Sequence, residues 1–111
     1  MTDTDKVEEL SRLSFIATKT LELAAYKIQD EDSGFNVIRK VNSFYKKGLN
    51  IIKKQMTDAD KVLALTELLG DVIHVLELKQ YDIEDPQLSH ECVTDADKFH
   101  QRMMNVLHQS N

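Results

Sequence analysis

The sequence predicts an all-α protein, a four- to five-helix antiparallel bundle in one domain spanning residues 1–111. Three observations carry this. Apolar residues recur at helical spacing through most of the chain. Only three glycines and one proline interrupt it. Residues 57–79 carry so wide an apolar face that neighbours are needed on more than one side. Hydrophobic residues make up 41% and charged residues 30%, a composition that excludes disorder.

The first helix is expected over residues 4–29. Val7, Leu10, Ala17, Leu21, Ala24 and Ile28 form its stripe, widened by Leu13, Phe15, Ile16, Leu23 and Ala25. Asp5, Glu8 and Glu9 lie early, where the helix dipole favours acids. Asp30-Glu31-Asp32-Ser33-Gly34 is expected as a turn.

The second helix is expected over residues 35–55, with Val37, Ile38, Val41, Phe44, Tyr45, Ile51 and Ile52 on one face. Gly48 falls in its middle, which points to a close backbone crossing, since glycine weakens a helix interior by ~1 kcal/mol relative to alanine. Arg39-Lys40, Lys46-Lys47 and Lys53-Lys54 are basic pairs seven residues apart. Residues 35–56 thus hold six of the fourteen basic residues and none of the nineteen acids. Such a stripe is a solvated face or meets an anion or an acidic partner.

The third helix is expected over 57–79, with Thr57 as N-cap and Asp60 at the capping-box position. Its apolar rows are Val62, Leu65, Leu69, Val72 and Leu76, then Leu63, Leu68, Ile73 and Val75. Its polar stripe is Glu67, Asp71 and His74, spaced i, i+4, i+7. Two acids at i, i+4 repel unless a cation lies between them. The link to the second helix is so short that the two are expected as antiparallel neighbours, basic row near acidic stripe.

Residues 80–93 are expected to be irregular, with a short turn of helix from Pro86. Thr94 is expected to open the last helix, Asp97 standing at the capping-box position. Phe99, Met103, Val106 and Leu107 form its apolar side, and residues 109–111 are expected to fray. The pattern TD-x-DK occurs at Thr2, Thr57 and Thr94 with unequal spacing, marking helix starts rather than a repeat.

The remaining composition narrows the function classes. A net charge of −5 gives no overall attraction to nucleic acid or to anionic lipid, so neither specific nucleic-acid binding nor membrane association is expected. The acidic N-terminus does not read as a signal peptide, and a single Cys92 suits a reducing cytoplasm. His90, Cys92 and His100 lack zinc-ligand spacing. No phosphate-cradling glycine loop is present.

Two segments carry a resemblance. Glu67-Leu68-Leu69-Gly70-Asp71-Val72-Ile73 resembles the Gly-Asp helix of MazG-like, all-α nucleoside triphosphate pyrophosphohydrolases. Asp97-Lys98-Phe99-His100-Gln101-Arg102 resembles the Lys-Phe-x-x-Arg segment of their following helix. The resemblance covers roughly residues 46–103 of the chain. It implies a dimeric or tetrameric helical bundle that binds a nucleotide between helices. Its members cut between the α- and β-phosphates with Mg²⁺ held by an ExxE and an ExxD pair. It would aim Lys98 and Arg102 at phosphate and keep Asp71 as a metal ligand; Glu67 joins Asp71 as a candidate Mg²⁺ ligand only through the i, i+4 spacing of the two acids.

The departures fall on the metal site. The first acidic pair would stand near Lys46, Lys47 and Asn50. The ExxD glutamate position is Leu68, and Glu67 is displaced from it by one residue, about 100° round the helix. The expectation is therefore a nucleotide- or phosphate-binding protein with weak or absent hydrolysis, in which Lys46 or Lys47 replaces the metal beside Glu67 or Asp71. The alternative is a non-enzymatic adaptor whose second helix docks an acidic protein. A homodimer is expected because the apolar faces exceed what four helices bury alone.

Overall fold

A computed structural model describes residues 1–109 of the chain. Four long helices follow one another: α1 (Asp3–Ala25), α2 (Glu31–Lys53), α3 (Asp58–Leu78) and α4 (Pro86–Leu107), with a 3₁₀ turn at Lys79–Tyr81 after α3. No strand occurs among the described residues, and none of their helices is long and apolar enough to cross a membrane. The expected fraying of residues 110–111 lies outside the described part.

Side-chain caps set the helix starts. Thr2 accepts from the Asp5 N–H at 3.1 Å, and its own N–H donates to the Asp5 carboxylate at 3.2 Å, a full capping box. Thr57 accepts from the Asp60 N–H at 3.1 Å. The Thr4 hydroxyl donates to Asp58 at 2.6 Å, tying the starts of α1 and α3 together.

Three boundaries differ from expectation. Helix α1 ends at Ala25, where the Lys27 and Ile28 N–H groups turn back onto the Ala24 and Ala25 carbonyls. The expected turn at 30–34 is instead the first turn of α2. Asp30 caps it by accepting from the Asp32 N–H at 3.1 Å, and Glu31 and Asp32 sit on the positive end of the dipole.

The largest difference is in residues 86–93, expected as mostly irregular and found as the first two turns of α4. Asp85 accepts from the N–H groups of Gln87 and Leu88, and Pro86 stands at the helix start, where its missing N–H costs nothing. Thr94 is therefore mid-helix, and its hydroxyl donates to the His90 carbonyl at 3.1 Å. Leu88, Cys92, Ala96, Phe99, Met103 and Val106 form one continuous inward stripe, which rewards helix over the whole span.

Helices α1 and α3 form the most extensive pair, and both α2 and α4 pack against each of them. Contact between α2 and α4 is slight at most, so the two flank the central pair. Leu10, Ala17, Leu21, Leu65, Leu69, Val72 and Leu76 are fully buried in this central seam. Their 3–4 spacing presents one stripe of each helix to the other. The neighbours expected around the third helix are thus α1, α2 and α4. Not every apolar position expected inside is there: Leu63 is 70% exposed, and Ile16 and Leu23 are also exposed.

Gly48 is buried, as a crossing would require, but it does not meet backbone. A Cβ there would lie 3.5 Å from a Leu68 methyl and 3.6 Å from the end of the Phe15 ring. Phe15 in turn stacks on Tyr45, with ring centroids 6.2 Å apart, and joins α1 to α2.

Candidate functional site

The trough between α2 and α3 follows from two sequence periods. Lysines recur every seven residues at Lys40 and Lys47 on α2, about 10.5 Å apart along the axis and nearly in line, and at Lys54, the residue that caps its C-terminus. On α3, Glu67, Asp71 and His74 rise along one exposed stripe. The packing of α2 on α3 sets these rows side by side.

Two clefts result. One, of about 330 Å³, is lined by Lys47, Asn50 and Ile51 on α2, by Lys54 at its C-cap, and by Ala64, Glu67, Leu68 and Asp71 on α3. The next, of about 310 Å³, is lined by Lys40, Ser43, Phe44 and Lys47 opposite Asp71, His74 and Val75. Lys47 and Asp71 belong to both, so the clefts adjoin as one trough with cations on one wall and acids on the other.

Of the expected site residues, Lys47, Glu67, Asp71 and His74 come together here. Lys46 does not: it is the other half of its dipeptide, about 100° round α2, and lies exposed on the outer face. Lys98 and Arg102 are exposed on α4, which flanks the central pair away from α2. Arg102 lines a separate cleft between α1 and α4, beside Glu9, Arg12 and Asn105. Lys40, Asn50 and Lys54 were not among the residues expected at the site. For the two lysines the signal was the seven-residue spacing already visible in the three basic pairs; Asn50 carried none.

The expected lysine–carboxylate ion pair is not formed. Among the described residues, ion pairs within 4.0 Å join Arg12 to Glu9, Lys19 to Glu22, Lys27 to Glu91 and Lys79 to Asp82, and none joins Lys46 or Lys47 to Glu67 or Asp71. All four of those side chains are exposed, where hydration competes with a pair worth at most ~1 kcal/mol. The trough therefore holds ammonium and carboxylate groups not committed to one another.

Among the described residues no three His, Cys, Asp or Glu side chains are grouped to hold an ion. Glu67 and Asp71 stand alone on one helix against lysines, and Mg²⁺ is held by few carboxylates only where substrate phosphates complete its shell.

Cys92 is buried, and burial pushes its thiol above the usual range, with Asp95 and Glu91 adding to the effect and Lys27 opposing it. The Tyr45 phenol is likewise raised, first by burial and then by the Glu22 carboxylate, while Lys19 opposes.

No family model matches the chain, and no curated protein or solved structure is significantly similar to it.

Proposed function

We propose that the α2–α3 trough binds a phosphorylated small molecule, a nucleotide being the expected class, with little or no pyrophosphohydrolase activity. The observation that carries this is the facing of Lys47 and Lys54 across a 330 Å³ cleft from Glu67 and Asp71, with no ion pair between the walls among the described residues. Lysines on one wall of the cleft serve as point charges for the phosphates of a bound ligand. Glu67, Asp71 and His74 on the opposite wall suit the amino and hydroxyl groups of a base and sugar. The volume suits a ligand of this size, which is bound in clefts of roughly 300–1,000 Å³.

The MazG-like resemblance of the Gly-Asp segment supports the same class, in an antiparallel bundle. The missing acids on α2 support binding without hydrolysis, and no step is assigned to Mg²⁺. Exposed Ile16 and Leu23 on α1 support association into a homodimer.

Thermal unfolding with a panel of NTPs and dNTPs, in Mg²⁺ and in EDTA, together with a pyrophosphate assay, tests the proposal. A ligand present at a hundredfold excess over its Kd stabilises by ~2.7 kcal/mol, a shift of several degrees. The expected result is that shift with one or more nucleotides, retained in EDTA, without pyrophosphate release. It should be lost in the Lys47→Glu, Lys54→Glu double variant. Absence of any shift, or a shift unaffected by those substitutions, removes the trough as the site. Rapid Mg²⁺-dependent pyrophosphate release refutes the inactive assignment.

A further inference from the structure

Each basic dipeptide of α2 sends one side chain to the trough and the other outward. Arg39, Lys46 and Lys53 make the outward row, spaced seven residues apart over about 21 Å. All three are exposed, and among the described residues none of them is in an ion pair. No acid of α2 follows Asp32, so nothing on the helix itself offsets the row.

The row leads to an apolar cleft. At the corner where α1 passes into α2, a cleft of about 320 Å³ is lined by Ala25, Ile28, Gly34 and Ile38 and framed by two aromatics, Tyr26 and Phe35. Tyr26 is 72% exposed and Phe35 63%, a large solvent cost for two rings set beside a common cleft. Phe35 lies four residues before Arg39, on the same face, so cleft and row form one continuous surface about 27 Å long. Glu31 also lines the cleft, so the surface is acidic at the start of α2 and basic beyond it.

We propose that this surface docks an acidic helical segment of another protein, which seats one apolar side chain between Tyr26 and Phe35 and lays its carboxylates along Arg39, Lys46 and Lys53. A helix of about 18 residues spans the distance. An aromatic-walled cleft with a charged margin is the arrangement in which an apolar anchor contributes most and the charges set orientation. The charge pattern fixes that orientation: the anchor belongs at the start of α2 and the acids toward its end. A second copy of this chain presenting the same face would set three cations against three cations, so the occupant is a different, acidic chain. Arg39, Lys46 and Lys53 line neither cleft of the phosphate trough, which separates the two surfaces.

The test uses the full chain and a fluorescein-labelled synthetic helical peptide of about 20 residues, with glutamates every seven residues and a pair of leucines at one end. Fluorescence anisotropy gives the affinity, and ¹⁵N–¹H spectra locate the contact. The expected result is salt-sensitive binding with shifts at Tyr26, Phe35, Arg39 and Lys46. Either Phe35→Ala or the combined Arg39→Glu, Lys46→Glu, Lys53→Glu change should weaken it about tenfold or more. The Lys40→Glu, Lys54→Glu pair on the trough side should change it less than about threefold, a long-range effect only. All substituted side chains are exposed, and circular dichroism confirms that each variant keeps its helices. Absence of binding, equal loss in both charge-reversed sets, or indifference to Phe35→Ala overturns the proposal. Tighter binding to single-stranded RNA or to anionic vesicles than to the peptide, or self-association through this face, overturns it as well. None of these outcomes depends on whether a nucleotide occupies the trough.

Discussion

Replacing Gly48 by alanine should stabilise the protein. The residue is buried in mid-helix, where glycine costs about 1 kcal/mol of backbone entropy relative to alanine. The added methyl would meet Leu68 at 3.5 Å and Phe15 at 3.6 and 3.7 Å, which are ordinary contact distances to side-chain ends. Burying a methyl adds at most about 0.8 kcal/mol. The expected gain is thus about 1–1.5 kcal/mol, or roughly 4–6 °C in Tm for a domain of this length. Gly70 separates the two contributions. It also lies in mid-helix, but a Cβ there meets nothing within 4 Å, so Gly70→Ala should gain only the backbone part, ~1 kcal/mol. Gly48→Val should reverse the sign, because its branches exceed the space and overpacking costs about 1–3 kcal/mol. Urea unfolding of the three variants measures all of this. A Gly48→Ala protein less stable than the wild type would show that Leu68 and Phe15 hold α1, α2 and α3 too tightly for even one methyl. The packing described around Gly48 would then be wrong.

Three further outcomes follow from the same geometry. Asp85→Ala should cost about 1 kcal/mol by urea unfolding, because Asp85 accepts two N–H groups at the start of α4, whereas Thr94→Ala, mid-helix, should cost less. Ser14→Ala should be neutral or stabilising by up to ~1 kcal/mol in the same assay, since the Ser14 hydroxyl is buried in α1 without a hydrogen-bond partner among the described residues. Stability should fall at alkaline pH. The Cys92 and Tyr45 pKa values are raised above 9.0 and 10.0, so the folded state holds these protons longer than the unfolded chain. That contribution is complete below pH 9 and declines above it, and thermal scans from pH 7 to 11 should show a shallower decline in a Cys92→Ala, Tyr45→Phe variant.

The helices were legible where period and cap agreed. Thr57 followed by the long apolar rows of α3 placed that helix to within a residue at each end. They were misjudged where a familiar signal competed with a less familiar one. The run Asp30–Gly34 has turn composition, but the same acids are good first-turn residues once Asp30 caps the helix. The pattern at Thr94 duplicates the true starts at Thr2 and Thr57, yet composition cannot show whether a threonine hydroxyl accepts from a helix start or donates to a carbonyl one turn back. The stripe running back through Cys92 to Leu88 was the evidence that favoured a longer α4.

The trough was only half legible, for a reason rooted in helix geometry. Adjacent residues are about 100° apart on a helix, whereas residues seven apart drift by only about 20°. Each basic pair, read as a unit, looks like one patch, but repetition at seven converts three pairs into two separate rows. Lys40, Lys47 and Lys54 line the clefts beside α3, and Arg39, Lys46 and Lys53 face away. The choice between them depends on where α3 sits around α2, a tertiary fact that neither period contains. It follows that Lys46 and Lys47, chemically identical neighbours, should separate functionally. Lys47→Glu should impair whatever occupies the trough, and Lys46→Glu whatever docks on the outer face. Equal effects of the two substitutions on both kinds of ligand would mean that α2 acts through its total charge, and the division into two surfaces would have no functional meaning.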